Sequence, residues 1–251
     1  VASALASRGH LVEQFDFLEA KASETSFLAR IQAFSPDYLG ISLRNLDSCD
    51  SLAVEDYPAV ARRLVELART GTSAPIILGG PAFSILPEAL LAYTGADYGV
   101  VGEGEVQVAE LVQALEAGRA VPRLLRNEAP LGAQEMASPL FHPDLVRFYR
   151  EQSGLLNLQT KRGCPFHCAY CNYPDLAGTR YRPRDPRAVA DDLAQAQSRF
   201  GISDFFISDG VFNDAEGHHM ALVEEILRRD LRLRWSCWRR RALPCPSRCP
   251  T

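Results

Sequence analysis

The chain has 251 residues, 47% apolar and 23% charged, with a formal net charge of -4. That is ordinary for a globular protein large enough for two cores, and the acidic balance argues against a nucleic-acid binder, which carries a basic excess. No apolar run reaches the length of a membrane span and no signal peptide opens the sequence, so seven cysteines read as a reduced, cytoplasmic protein with a metal site, not a disulfide scaffold.

In chain order, residues 1–9 read as the end of a helix closed by Gly9. Leu11, Val12, Phe15 and Phe17 suggest a strand, and Phe27, Leu28 and Ile31 fit one face of a short helix. The apolar run from Tyr38 to Leu43 is of the kind buried on both faces in a parallel sheet. Val60, Leu64 and Leu67 recur at helical spacing up to Gly71. Residues 75–78 form another buried strand ending in Gly79-Gly80, followed by a helix from Pro87 to Tyr93 and the strand Tyr98 to Val101. Val108, Leu111, Val112 and Leu115 mark one more helix, closed by Gly118. This alternation implies an open α/β sheet. Ligands of such sheets bind beyond the carboxyl ends of the strands, which singles out the loops 44–48, 79–84 and 102–105. Glycines there let the backbone approach a bulky ligand, although ordinary turns of the fold account for them equally well. His10, behind a helix-stopping glycine, reads as a surface residue.

Residues 121–154, broken by Pro122, Pro130, Pro139 and Pro143, read as a connector with a short helix near Leu145 to Glu151. The strand from Leu155 to Thr160 then delivers Gly163-Cys164-Pro165-Phe166-His167-Cys168-Ala169-Tyr170-Cys171. Three thiols at C-x3-C-x2-C spacing can converge on one small object, and thiolates select zinc, copper(I) or iron–sulfur clusters. A closed zinc site needs a fourth ligand, whereas a [4Fe–4S] cube on three cysteines keeps one iron open. His167, directly before Cys168, has difficulty reaching the same metal. Lys161 and Arg162 either tune such a cluster or are solvated cations. Asp185 and Pro186 start a helix with Val189, Leu193, Ala196 and Phe200 on its core face and Gly201 at its end. A strand from Asp204 to Ser208, a helix through Met220, Val223 and Leu227, and a strand from Leu231 follow. That order is the opening half of a β/α barrel, whose active sites lie at the carboxyl ends of the strands. Asn213 or Asp214 reads as the next helix cap, and at least one of His218 and His219 as solvated. Arg180, Arg182 and Arg184 read either as a solvated face or as a carboxylate site. Residues 239–251 show no period, and Cys237, Cys245 and Cys249 have no recognisable scaffold for a second cluster.

The cysteine motif, with Tyr170 before its last cysteine, resembles the cluster loop of the radical S-adenosylmethionine (SAM) enzymes. Ile41-Ser42-Leu43, Ile77-Leu78-Gly79-Gly80 and the stretch Gly95 to Glu105 resemble the cobalamin-binding domain that precedes many of them. The resemblance implies a Rossmann-like (flavodoxin-like) cobalamin-binding domain over 1–120, the connector 121–154, and over 155–251 the first half of a partial, TIM-like barrel. It places a [4Fe–4S] cluster on Cys164, Cys168 and Cys171, and SAM against Tyr170, Ser208, Asp209 and Gly210. Ser42, Gly79, Gly80, Gly102 and Glu103 would lie along the nucleotide tail of cobalamin, with Arg44, Asn45 and Asp47 facing the corrin. Asp209 departs from the family's commoner glycine-rich motif ending in glutamate, and reads equally as the start of a turn.

The activity implied is reductive cleavage of SAM to a 5′-deoxyadenosyl radical, used first for methyl transfer to an unactivated carbon of a small-molecule or biosynthetic-intermediate substrate. A flavodoxin or ferredoxin would be the electron donor. The rival readings are a cobalamin-dependent cyclase or rearrangement enzyme, and a non-catalytic cofactor-binding or zinc-binding module. The family's first strand, with the loop that carries an axial histidine in some members, is expected before Val1. The barrel's later strands are expected beyond a tail that reads as truncated or out of frame.

Overall fold

The computed structural model describes residues 1–127 and 129–240. The chain divides into two compact units, Val1–Leu131 and from Gly132 onward. Both are α/β.

The first unit runs α1 (Ala2–Ala6), α2 (Glu24–Phe34), β1 (Leu39–Ser42), α3 (Tyr57–Gly71), β2 (Ile76–Gly79), α4 (Pro81–Ile85), α5 (Pro87–Thr94), β3 (Tyr98–Val101), α6 (Gly104–Glu116) and β4 (Leu124–Arg126). Its four strands lie in the order β1-β2-β3-β4 and every pair is parallel. Side chains alternate across a strand, so β2 feeds two cores. Ile76 and Leu78 pack with Phe27, Val65 and Phe83, while Ile77 packs with Val100, Leu111 and Val112 on the other face. The helix ends are set locally. Ser23 accepts from the Ser26 amide and Asp56 from the Ala59 amide, supplying two of the donors a helix start leaves unpaired.

Two expectations need correcting here. Residues 10–17 form no strand: Leu11 is 86% exposed, and only Phe15 reaches the core, its ring 5.5 Å from that of Phe27. Alternation supplies a core-facing residue but not a hydrogen-bonding partner, and no described strand lies beside this segment. Nor is β1 buried on both faces. It is an edge strand whose Leu39 and Ile41 turn inward while Gly40 and Ser42 are exposed.

The second unit contains α7 (Pro143–Ser153), β5 (Leu156–Leu158), β6 (Lys161–Arg162), α8 (Tyr173–Ala177), β7 (Arg182–Pro183), α9 (Pro186–Phe200), β8 (Asp204–Ile207), α10 (His218–Arg228) and β9 (Arg234–Cys237). Strands β5, β8 and β9 form a parallel sheet in that order, while β6 and β7 pair antiparallel as a separate two-stranded ribbon. Asp185 accepts from the Arg187 amide at 2.8 Å and Pro186 sets the first turn of α9; Gly201, at φ 65°, ends it. Val189 and Leu193 of α9 and Leu222 and Ile226 of α10 cover Leu156, Leu158, Phe205 and Ile207 of the sheet. Each such fully buried side chain contributes about 1.5–3 kcal/mol.

The stretch 121–154 is shared between the units instead of standing apart. Leu124–Arg126 completes the first sheet, and Val146 of α7 joins the second core. Its prolines interrupt helical periodicity without preventing a three-residue strand or a helix that begins on Pro143.

Candidate functional site

The carboxyl ends of β1, β2 and β3 meet in a closely packed shelf. Gly80 stands at φ 103°, and a Cβ there would lie 2.5 Å from the Leu43 carbonyl oxygen and 2.9 Å from Ser42 Oγ. Only glycine lets these two loops touch. Ser84, the last residue of the loop 79–84, ties the shelf together. Its hydroxyl donates to the Gly80 carbonyl at 3.0 Å and accepts from the Gly102 amide at 2.8 Å. Ser42 and Gly102 are exposed on this shelf, with Gly79 and Gly80 half-buried beside them. Small residues at the ends of three parallel strands fit a bulky ligand's tail.

The neighbouring expected residues are placed differently. Arg44, Asn45 and Asp47 are exposed on a loop that bonds mainly to itself. Asp47 bridges antiparallel to Asp56 and accepts from the Cys49 amide at 2.8 Å; the Cys49 thiol and amide hold its carboxyl below the usual range. The Glu103 carboxylate accepts from the Leu131 amide at 2.7 Å, and the Glu103 carbonyl accepts from Asn127 Nδ2 at 2.8 Å. Glu103 therefore secures the chain that follows β4.

In the second unit, the ribbon β6–β7 closes the loop that carries the cysteines, pairing Lys161 with Pro183 and Arg162 with Arg182. Gly163, at φ 82°, opens the loop, and the Cys164 amide donates to the Gly178 carbonyl at 3.0 Å. The Cys171 amide donates to the Cys168 carbonyl at 3.0 Å, folding the motif into a turn. All three cysteines are free thiols: Cys164 is buried, Cys168 half-buried and Cys171 exposed. Their sulfurs are not gathered at one point; among the described residues no three His, Cys, Asp or Glu side chains form a single-ion site. His167 is exposed and joins no such group. Tyr170 is 92% exposed.

The segment after β8 lies against this loop. A Cβ on Gly210 would stand 2.8 Å from Tyr173 Cε1 and 3.7 Å from Cys164 Cβ, so glycine leaves the space the Tyr173 ring needs and lies beside Cys164. Ser208 is exposed, its amide donating to the Leu158 carbonyl at 2.9 Å. Asp209 is not presented to a ligand. It is 1% exposed, accepting from the Thr160 amide at 2.7 Å, Thr160 Oγ1 at 2.5 Å and the Lys161 amide at 3.1 Å. Burial pushes its carboxyl above the usual range against these bonds. The structure thus gives Asp209 the task of clamping β8 to the strand end that feeds the cysteine loop, in place of the expected contact with an amino group.

Several cations and imidazoles read as solvated are inside. Lys161 is 1% exposed; its ammonium donates to the Phe212 carbonyl at 2.6 Å, pairs with Asp214 and lies 4.5 Å from the Tyr181 ring centroid. Burial disfavours the ionised form of Asp214, but its bonds to Lys161 outweigh this and hold its carboxyl low. Arg184 is 7% exposed and pairs with buried Asp192 at 2.5 Å. His219 is buried and His218 half-buried, and burial lowers both imidazoles. The residue that caps α10 is Gly217, not Asn213 or Asp214, although the Asp214 carboxylate accepts from the His218 amide at 3.0 Å. Asn213 instead bonds the Arg240 backbone in both directions, at 3.0 and 2.9 Å. Cys237 lies half-buried in β9, whereas Cys245 and Cys249 lie outside the described residues.

Residues 1–112 match the B12 binding domain family model. The tryptophan 2-C-methyltransferase of Streptomyces laurentii is 28% identical over 79% of this chain and 43% of its own length. A solved radical SAM methyltransferase, TsrM from Kitasatospora setae with cobalamin and a [4Fe–4S] cluster bound, superposes at a TM-score of 0.81 with 29% identity, covering 93% of this chain and 51% of that one. The chain is thus similar, over both of its units, to radical SAM proteins that carry a B12-binding domain. The hopanoid C-3 methylase of Methylococcus capsulatus is a more distant relative, 26% identical over 92% of this chain and 45% of its own. The chain thus spans about half the length of the relatives it matches. No helix among the described residues is long and apolar enough to cross a membrane.

Both cofactor sites pass a chemical test on this chain's own residues. The shelf offers small residues at three strand ends, exposed at two and half-buried at the third, and the cysteine loop offers three free thiols between anchored ends with Gly210 beside Cys164. Three soft thiolate donors on one loop suit an iron–sulfur cluster that keeps one iron open.

Proposed function

We propose that this chain is the cofactor-binding part of a cobalamin-dependent radical SAM methyltransferase acting on an unactivated carbon of a small molecule. The observation that carries the reading is the position of Gly210 beside Cys164, at the carboxyl ends of adjacent parallel strands, in a protein that also holds a B12-binding domain. In use, the cluster supplies one electron to cleave SAM and the corrinoid carries the methyl group.

The chain's own residues bind and orient. Cys164, Cys168 and Cys171 hold iron as thiolates, in the reduced state that free thiols require. Gly210 and Ser208 leave room beside Cys164 for the amino-acid end of SAM, and exposed Tyr170 borders the same loop. Ser42, Gly79, Gly80 and Gly102 receive the nucleotide tail of cobalamin, while Arg44 and Asn45 remain exposed for its polar periphery. A small acidic iron–sulfur or flavin protein is the electron donor this assignment calls for.

The test is anaerobic reconstitution with iron, sulfide and hydroxocobalamin, followed by metal analysis, a visible spectrum and detection of nucleoside products from SAM under reduction. About four irons and one cobalt per chain, with SAM cleaved or demethylated, is the expected result. Zinc in place of iron overturns the assignment.

A further inference from the structure

Three buried charged side chains of the second unit, Lys161, Asp209 and Asp214, are gathered at one spot. Thr160 and Lys161, where the chain leaves β5 for the cysteine loop, are 0% and 1% exposed. They are gripped twice by residues 209–214, the segment that follows β8. Asp209 takes the Thr160 hydroxyl and both backbone amides. Five residues further on, Asp214 and the Phe212 carbonyl take the Lys161 ammonium. Asp214 is itself held, accepting from the His218 amide at 3.0 Å while its own amide donates to His219 Nδ1 at 3.3 Å. The His219 ring packs edge-on against Phe212, and the face of Tyr181 covers the Lys161 ammonium from the ribbon side.

Ion pairs this deeply buried are weak evidence of a stability device, because desolvation offsets their attraction and an apolar pair of similar volume does as well. Their attested use is to fix one arrangement over its neighbours. Here the arrangement fixed is between two backbones: the one that opens the cysteine loop, and the one that carries Ser208, Asp209 and Gly210 past Cys164. Between the two grips, residues 210 and 211 have no freedom to slide. A Cβ on Gly210 would meet the Tyr173 ring at 2.8 Å and come within 3.7 Å of Cys164 Cβ, so displacement of the segment changes the space beside that cysteine directly.

We propose that Lys161, acting through Asp214, is a positioning residue that holds the Ser208–Gly210 segment at the cysteine loop and so shapes the SAM-binding space. The inference rests on the cofactor assignment proposed above. The Asp209 clamp fixes height along the strand and the Lys161–Asp214 pair fixes the far end of the segment, so removing the pair loosens SAM binding while leaving the thiols in place. The three cysteines are untouched by the ion pair and carry the iron without it.

The experiment compares the unaltered chain with the paired variant Lys161→Met/Asp214→Leu, which replaces both charges by apolar side chains and leaves no lone buried ion. Three quantities are read: the thermal midpoint of the iron-free chain, the iron content after reconstitution, and the dissociation constant of SAM by equilibrium dialysis. The last is checked by the change SAM causes in the electron paramagnetic resonance spectrum of the reduced cluster. The expected result is a midpoint and iron content close to those of the unaltered chain with SAM binding weakened about 10-fold or more, the scale of losses from outer-shell partners. Unchanged SAM affinity and an unchanged spectral response overturn the proposal. If the paired variant does not fold, Asp214→Asn keeps the shape and an acceptor for Lys161 and His218, and a several-fold weakening decides in favour; unaltered affinity decides against. An unaltered chain that takes up no iron marks failure of the cofactor assignment instead, a result distinct from either outcome for the ion pair.

Discussion

Gly163→Ala is the sharpest test of how the cysteine loop is held. An alanine Cβ would stand 2.0 Å from the Arg180 carbonyl oxygen, 2.9 Å from its carbon and 3.2 Å from the Gly178 carbonyl oxygen, all of them backbone atoms that cannot rotate away. The left-handed conformation at φ 82° costs an alanine about 1–2 kcal/mol before any contact is counted. Relieving the contact means moving residues 178–180, and the Gly178 carbonyl is the acceptor for the Cys164 amide. Loss of that bond adds about 1 kcal/mol, for a total of about 3 kcal/mol. In a domain of this size that lowers the thermal midpoint by about 12 °C, at about 4 °C per kcal/mol. Gly201→Ala is the control: Gly201 also has a positive φ, 65°, but no atom lies within 4 Å of its added Cβ. It carries the conformational cost alone, about 1–2 kcal/mol or 4–8 °C. Calorimetry of the iron-free chains gives both shifts, and iron analysis after reconstitution shows lower uptake for Gly163→Ala only. Equal shifts and equal iron in the two variants would refute the reasoning.

Further outcomes follow from other parts of the structure. Arg184→Met strands the Asp192 carboxylate in the core and costs about 3–5 kcal/mol by urea unfolding; a loss below about 1 kcal/mol, the scale of an exposed pair, contradicts the burial of that pair. Alanine at Cys164, Cys168 or Cys171 abolishes the brown visible absorption after reconstitution, whereas Cys49→Ala, in the first unit and exposed, leaves it intact. Ser84→Ala frees the Gly80 and Gly102 backbones from one another and weakens hydroxocobalamin binding several-fold by dialysis, in line with outer-shell losses. Arg228 and Arg229 hold the Glu225 carboxyl down at about 2, against 4.5 unfolded. The folded value is depressed, so the stability from this pairing is complete above the unfolded value and is lost as pH falls from about 4.5 through 2. Glu225→Gln should flatten that part of the acid limb, and an unchanged slope between pH 4.5 and 2 counts against the assignment.

Elements with chemical punctuation were legible from the sequence. Asp185 and Pro186 start α9 and Gly201 ends it because caps, proline geometry and left-handed glycine act within a few residues. Glycines 79, 80 and 102 stood out at strand ends for the same local reason. What the sequence left open was whatever needed a distant partner. Residues 10–17 alternate like a strand, but a strand is completed by a neighbour's hydrogen bonds and none of the described strands supplies them. Lys161 and Arg184 were left open between a solvated cation and a functional one because their carboxylates, Asp214 and Asp192, become partners only once β5, β8 and α9 have packed. Asp209 was noticed as a carboxylate at a strand end, yet whether it turned outward to a ligand or back to Thr160 depended on the register of β5 and β8. Ser84 was visible only as the end of the loop 79–84 and Asn127 not at all, since their bonds to the Gly102 amide and the Glu103 carbonyl reach 18 and 24 residues along the chain.

The ribbon of Lys161–Arg162 with Arg182–Pro183 has one more implication, for engineering. It pinches residues 163–181 at their base, so the parallel sheet of β5, β8 and β9 does not sense how much chain lies above the pinch. Lengthening such an excursion costs only about 0.6 kcal/mol per doubling. The turn between Cys164 and Cys171 therefore behaves as a cassette: motifs with other spacings can be grafted there and compared while Tyr173 and Tyr181 keep their contacts with Gly210 and Lys161.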